Sequence, residues 1–120
     1  MSVIRIEDLE VYQLSELFSN EIWDLVITWD YFAKDTVGKQ IVRSADSISA
    51  NIAEGFGRFH YKENKNFCYF SRGSLIETKS WLIKSKTRKL INDEQFDMLI
   101  GKLELIHIKL NTYIKFIGNK

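Results

Sequence analysis

RSADSISANIAEGFGR, residues 43–58, sets Ser44, Ser47, Ser49 and Asn51 among Ala45, Ile48, Ala50 and Ile52 with no proline. With Val37 and Ile41 upstream, Ala45, Ile48 and Ile52 recur every three or four residues, the period of one helix face. The run reads as the second half of a helix over 36–56 that stops at Gly55 or Gly57, where a left-handed cap costs glycine little. Small polar side chains beside such a stripe have two explanations: a helix shaped so that a neighbour can approach closely, or a place where polar groups meet a ligand. Gln40, Ser44, Ser47, Asn51 and then Glu54 or Arg58 follow one border of the stripe. Border positions are half buried, and small side chains there admit a second helix. Gly73 and Ser74 offer a matching low surface further on, and the packing explanation is favoured.

The same period organises the rest of the chain. Val11, Leu14, Phe18, Ile22, Leu25, Trp29 and Phe32 form the core stripe of a first helix. A third, over 61–86, shows Phe67, Phe70, Ser74, Thr78 and Trp81, flanked by Leu75 and Leu82. The fourth opens with Asn92 and Gln95 at capping-box spacing and with Asp93 and Glu94 in the first turn. It continues through Phe96, Leu99, Ile100, Leu103, Leu110, Ile114 and Ile117. Short connections between long neighbours make the expected fold all-α: an antiparallel up-down-up-down four-helix bundle, one domain over residues 1–120.

Composition narrows the setting. A chain of 120 residues buries a core without disulfides or metals. No apolar run nears the roughly 20 residues of a membrane span, and MSVIRIEDLEVY lacks the continuous apolar centre of a secretion signal. A cytoplasmic protein without membrane contact is expected. Cys68 is the only cysteine, which excludes an intrachain disulfide and, within one chain, a thiolate metal cluster. The net charge of +1 hides a division: residues 1–35 hold eight acidic side chains against Arg5 and Lys34, and the rest holds fifteen basic against eight acidic. Such opposite fields can be neutralised within one copy, between copies, or by a partner such as a nucleic acid.

Three helices carry apolar residues away from their core stripes. Leu9, Tyr12, Trp23 and Ile27 lie near the far side of the first, Tyr69, Ile76 and Ile83 on the outside of the third, and Met98, Leu105 and Phe116 on the back of the fourth. Repeated second stripes point to patches covered in a homo-oligomer. Polar groups caught between helices need hydrogen-bond partners, so Ser44, Ser47, Asn51, Glu54 and Glu77 are expected to join Arg43, Arg58 or Arg72 in an interhelical network. The alternative for the charged members is plain solvation at the flank.

These residues also carry a resemblance. QIVRSADSISANIAEGFGR, followed about a helix later by FCYFSRGSLIET, resembles the 23S ribosomal RNA intervening-sequence protein family, also called the four-helix-bundle protein family. The anchors are Arg43, Ser44, Ser47, Ile48, Asn51, Ile52, Ala53, Glu54, Gly55, Gly73, Ser74, Leu75 and Glu77, and the similarity runs over nearly the whole chain. Two loops depart from it. The family often has a proline before the second helix and a Gly-Tyr turn before the fourth, where this chain reads KDTVGKQ and TRKLIND. The resemblance implies a bacterial protein, a homopentameric ring and no catalytic activity. It also implies relatives that serve the reverse transcriptase of diversity-generating retroelements as accessory proteins and bind nucleic acid and a protein partner.

Enzymatic constellations are thin. His60 lies in a charged linker, His107 in the fourth core stripe, and Cys68 borders an apolar face without a local histidine, which reads as a buried inert thiol. GFGR lacks the length and the Lys-Ser/Thr of a phosphate loop. A Glu54–Glu77 metal pair lacks the Glu-x-x-His repeats of carboxylate bundles, so neither metal nor cofactor is expected. Basic runs are better candidates: Lys84, Lys86, Arg88 and Lys89 end the third helix, and Arg58, Lys62 and Lys65 open it. Cations also favour a helix C-terminus on electrostatic grounds alone. The leading expectation is a non-enzymatic oligomeric module contacting RNA or DNA, with a purely structural or protein-interaction ring as the alternative and a metal enzyme last.

Overall fold

A computed structural model describes residues 5–118. A short 3-10 turn, Ile6–Asp8, leads into α1, Glu10–Val26. The helix stops there because Thr28 turns its hydroxyl onto the Leu25 carbonyl (2.6 Å) and Asp30 begins a new segment, its carboxylate accepting the Ala33 amide at 2.9 Å. A helical turn at Tyr31–Ala33 and a π-helical stretch at Lys34–Gly38 then run without a break into α2, Lys39–Phe56. α3 spans Tyr61–Thr87 and α4 spans Asp93–Ile117.

α1 packs on α2 and α4, and α3 packs on the same two, so successive helices run antiparallel around one core in a rod of 49 × 23 × 22 Å. The chain is a four-helix bundle, and among the described residues no helix is long and apolar enough to cross a membrane. Phe18, Ile22, Ile41, Ile48, Ile52, Leu75, Leu82, Leu103, Ile106 and Leu110 are fully buried. α4 begins with the expected capping box: Asn92 accepts the Gln95 amide at 2.7 Å, and Gln95 accepts the Asn92 amide at 2.9 Å.

Several sequence expectations are corrected. Phe32 is not in the α1 stripe: the Asp30 cap places it on the following helical turn, 76% exposed, while Trp29 is buried in the connection. On α3 the inward line is Cys68, Ser71, Leu75, Thr78, Leu82 and Ser85, and Phe70 is 57% exposed. The cause is close approach to α2, which leaves room for hydroxyls and a thiol but moves the aromatic rings to the seam's edge. On α4 it is Ile106 that is fully buried, with His107 half-buried beside it. The helix-ending glycine needs no left-handed backbone, since Gly57 has φ −77°. That conformation occurs instead at Lys89, φ 61°, in the turn before α4.

Candidate interaction surfaces

The RSADSISANIAEGFGR helix is α2, and its small residues let both neighbours come close. Across the α2–α3 seam the Ser71 hydroxyl donates to the Ile48 carbonyl at 2.7 Å, and Thr78 donates to the Ser44 hydroxyl at 2.9 Å. At the end of the seam a Cβ on Gly55 would stand 2.8 Å from Phe67 Cβ and 2.9 Å from the Asn64 carbonyl oxygen, so only glycine fits. On the other side Ser49 donates to Glu16 of α1 at 2.7 Å, and Tyr12 donates to the same carboxylate at 3.1 Å. Asp46 takes a hydrogen bond from Ser19. Partial burial, helped by the nearby Glu16 charge, nevertheless pushes the Asp46 carboxyl above its ordinary value.

The polar residues expected to link the helices divide accordingly. Ser44 makes an interhelical bond. Ser47 donates to the Arg43 carbonyl (2.8 Å) and Asn51 to the Ser47 carbonyl (2.8 Å), both within α2. Glu54 pairs with Arg58 one turn on (2.6 Å), and Glu77 accepts the Trp81 indole N–H (3.2 Å) on its own helix. Arg72 crosses to α4, donating to Asn111 at 2.9 Å, and Arg43 is exposed. Sequence reasoning gives no sign of the Glu16–Ser49 and Asp46–Ser19 links; Ser15 and Ser19, which lie beside the α1 stripe, are buried and show that α1 also presents small residues inward.

The acidic first helix is partly neutralised inside the monomer, where Lys102 of α4 pairs with Glu21 at 2.7 Å and Lys109 with Glu10 at 2.9 Å. The two candidate cationic clusters lie at opposite ends of α3. At its C-terminal end Lys84, Arg88 and Lys89 are exposed, and Lys86 sits over the Phe96 ring at 4.5 Å, 3.8 Å from Asp93. This end borders a depression of about 1100 Å³ that also takes in Ile83, Leu90 and Ile91. At the N-terminal end Lys62 is exposed, Lys65 is half-buried, and Arg58 is held by Glu54 and, at 3.8 Å, Glu63, over the Phe67 ring.

Apolar side chains mark the flanks. Trp23 on α1 and Ile27 at its C-terminal cap, Tyr69, Ile76 and Ile83 on α3, and Met98, Leu105 and Ile108 on α4 are all exposed, whereas Leu9 and Tyr12 are half-buried against the core. α2 adds no large exposed apolar residue. Grooves run on both sides of α4, one with Ile76, Ile100 and His107, the other with Leu14, Leu17 and Leu105. Burial pushes the Cys68 thiol up to about 11, leaving it protonated and unreactive at neutral pH. His60 is exposed at the α2–α3 turn, whereas His107 lies on the α4 flank.

Comparison with known sequences fits this framework. The profile of the 23S rRNA-intervening sequence proteins matches residues 7–112, which take in α1, α2, α3 and most of α4. The chain belongs to the 23S rRNA-intervening sequence protein family. A crystal structure at 1.70 Å of a protein of unknown function from the S23 ribosomal protein family of Bacteroides thetaiotaomicron VPI-5482 is similar, with a TM-score of 0.79 and 26% identity. That similarity covers 88% of this chain and 98% of the other. No curated protein matches. The motif running from Arg43 to Glu77, which is the α2–α3 seam, lies wholly inside the matched region of the intervening-sequence protein.

Proposed function

We propose that the chain is a non-enzymatic homo-oligomeric binding module whose copies close into a ring, five-membered as the family resemblance implies, and present basic surfaces to RNA or DNA. The observation that carries this reading is the apolar area on the flanks of one copy. Trp23, Ile27, Tyr69, Ile76, Ile83, Met98, Leu105 and Ile108 are each between 43% and 62% exposed and are spread over three helices. Patches of this kind mark contact surfaces, and two different patches joined head to tail generate a ring when the rotation closes. Cyclic symmetry would then set every copy of Lys84, Lys86, Arg88 and Lys89 on one end face, where repetition supplies avidity for a polyanion.

Gel shift of a labelled RNA or DNA against rising salt tests the binding. The expected result is retention at low salt that falls steeply with added salt and is lost when Lys84, Lys86, Arg88 and Lys89 are replaced by glutamine. A second reading, a purely structural or protein-interaction ring, draws support from the ion pairs that already occupy Arg58, Lys86, Lys102 and Lys109. Absence of any retained polyanion at low salt would select it.

A further inference from the structure

We infer that the α2–α3 turn is a stacking platform for unpaired bases of a single-stranded nucleic acid, a proposal that rests on the nucleic-acid part of the reading above. Phe59 is 91% exposed, the most exposed large apolar side chain among the described residues. A ring so placed gains from being covered, because water disfavours its apolar surface. The His60 ring stands perpendicular to it with centroids 5.1 Å apart, and Tyr61 follows, 47% exposed. Cations flank the three rings in sequence, Arg58 before and Lys62 after. Arg58 is engaged by Glu54 and Glu63, whereas Lys62 has no ion pair among the described residues and is exposed. Phe59, His60, Tyr61, Lys62, Glu63 and Asn66 border a depression of about 780 Å³, open enough to take a base with its sugar and phosphate.

The chemistry selects the occupant. Exposed aromatic faces interleaved with cations bind single strands by stacking, which tolerates any base because every base has a π-face. A duplex keeps its bases stacked on one another and has no free face to offer. A second copy is the wrong occupant on geometric grounds. The apolar flanks run along the sides of the 49 × 23 × 22 Å rod, whereas this turn caps its end, so copies standing side by side leave it uncovered. Cyclic symmetry places every copy of the platform on one end face of the ring, opposite the face that carries Lys84, Lys86, Arg88 and Lys89.

Fluorescence anisotropy on the full chain at low salt, with a labelled oligothymidylate and an abasic oligomer of equal length, tests the platform. The wild type should prefer oligothymidylate. Phe59→Ala should weaken that binding about tenfold or more while leaving the abasic oligomer and the assembly mass unchanged, and Phe59→Trp should restore it. Equal binding of both probes by Phe59→Ala and wild type overturns the platform. So does a fall in assembly mass on substitution, which would place Phe59 between copies, or Phe59-dependent capture of anionic phospholipid vesicles without strand binding. Binding that survives Phe59→Ala but is lost on neutralising Lys84, Lys86, Arg88 and Lys89 overturns the platform alone. A wild type that retains no strand at all removes the nucleic-acid reading with it.

Discussion

At the scale of single residues, Gly55 shows how closely α2 is fitted, and Asp46 how a carboxylate at its edge responds to its neighbours. Gly55 allows the start of α3 to lie on the end of α2, and an added methyl would meet Phe67 Cβ at 2.8 Å and the Asn64 backbone at 2.9 Å. Because backbone cannot give way cheaply, Gly55→Ala should destabilise the bundle by about 1–3 kcal/mol, read from the urea midpoint. Asp46 makes the opposite case. An acid whose folded value is raised favours its neutral form in the bundle. Its contribution to stability is therefore greatest below the ordinary aspartate range and declines as pH rises through the raised value. Asp46→Asn cannot ionise, so it should stabilise the protein at neutral pH, and that advantage should shrink near about pH 3. A constant difference across that range would remove the electrostatic explanation.

At the scale of elements, the turn before α4 is the place to test local geometry. Lys89 holds φ 61°, a conformation that costs a residue bearing a Cβ about 1 kcal/mol more than glycine. Lys89→Gly should therefore raise the denaturation midpoint by a corresponding amount, and a lower midpoint would mean that the lysine side chain contributes more than the backbone loses. This turn was opaque in sequence because TRKLIND contains no glycine to announce a left-handed residue. The four helices themselves were legible, since Ile41, Ala45, Ile48 and Ile52 keep strict helical spacing and the Asn92–Gln95 box has one reading. The phase of α3 was not. Sequence periodicity ranks faces by hydrophobicity, and α3 puts Ser71, Thr78 and Ser85 inward while its rings at Phe67 and Phe70 sit at the edge. A helix that packs by closeness rather than by bulk defeats that ranking. The candidate surfaces were legible in part for a related reason: exposed Trp23, Ile76 and Ile83 break the pattern of a two-sided helix, whereas the exposure of Phe59 depends on where the turn projects.

At the scale of the whole molecule, residues that hold one copy together differ in burial from those proposed to join copies. Ile48 is fully buried and Ile76 is half exposed. Ile48→Glu should unfold the bundle by burying an unpaired charge, with loss of helical circular dichroism, whereas Ile76→Glu should keep helicity and release single copies. If the two substitutions behave alike, the assignment of inner and outer faces is wrong. The most direct test of the central claim, that copies cover one another's apolar flanks, is sedimentation velocity of the wild-type protein at micromolar concentration. The expected result is one discrete species several times heavier than the 14.1 kDa chain, converted to the 14.1 kDa species by Ile76→Glu. A wild type that sediments as a stable, fully dispersed 14.1 kDa particle would contradict it.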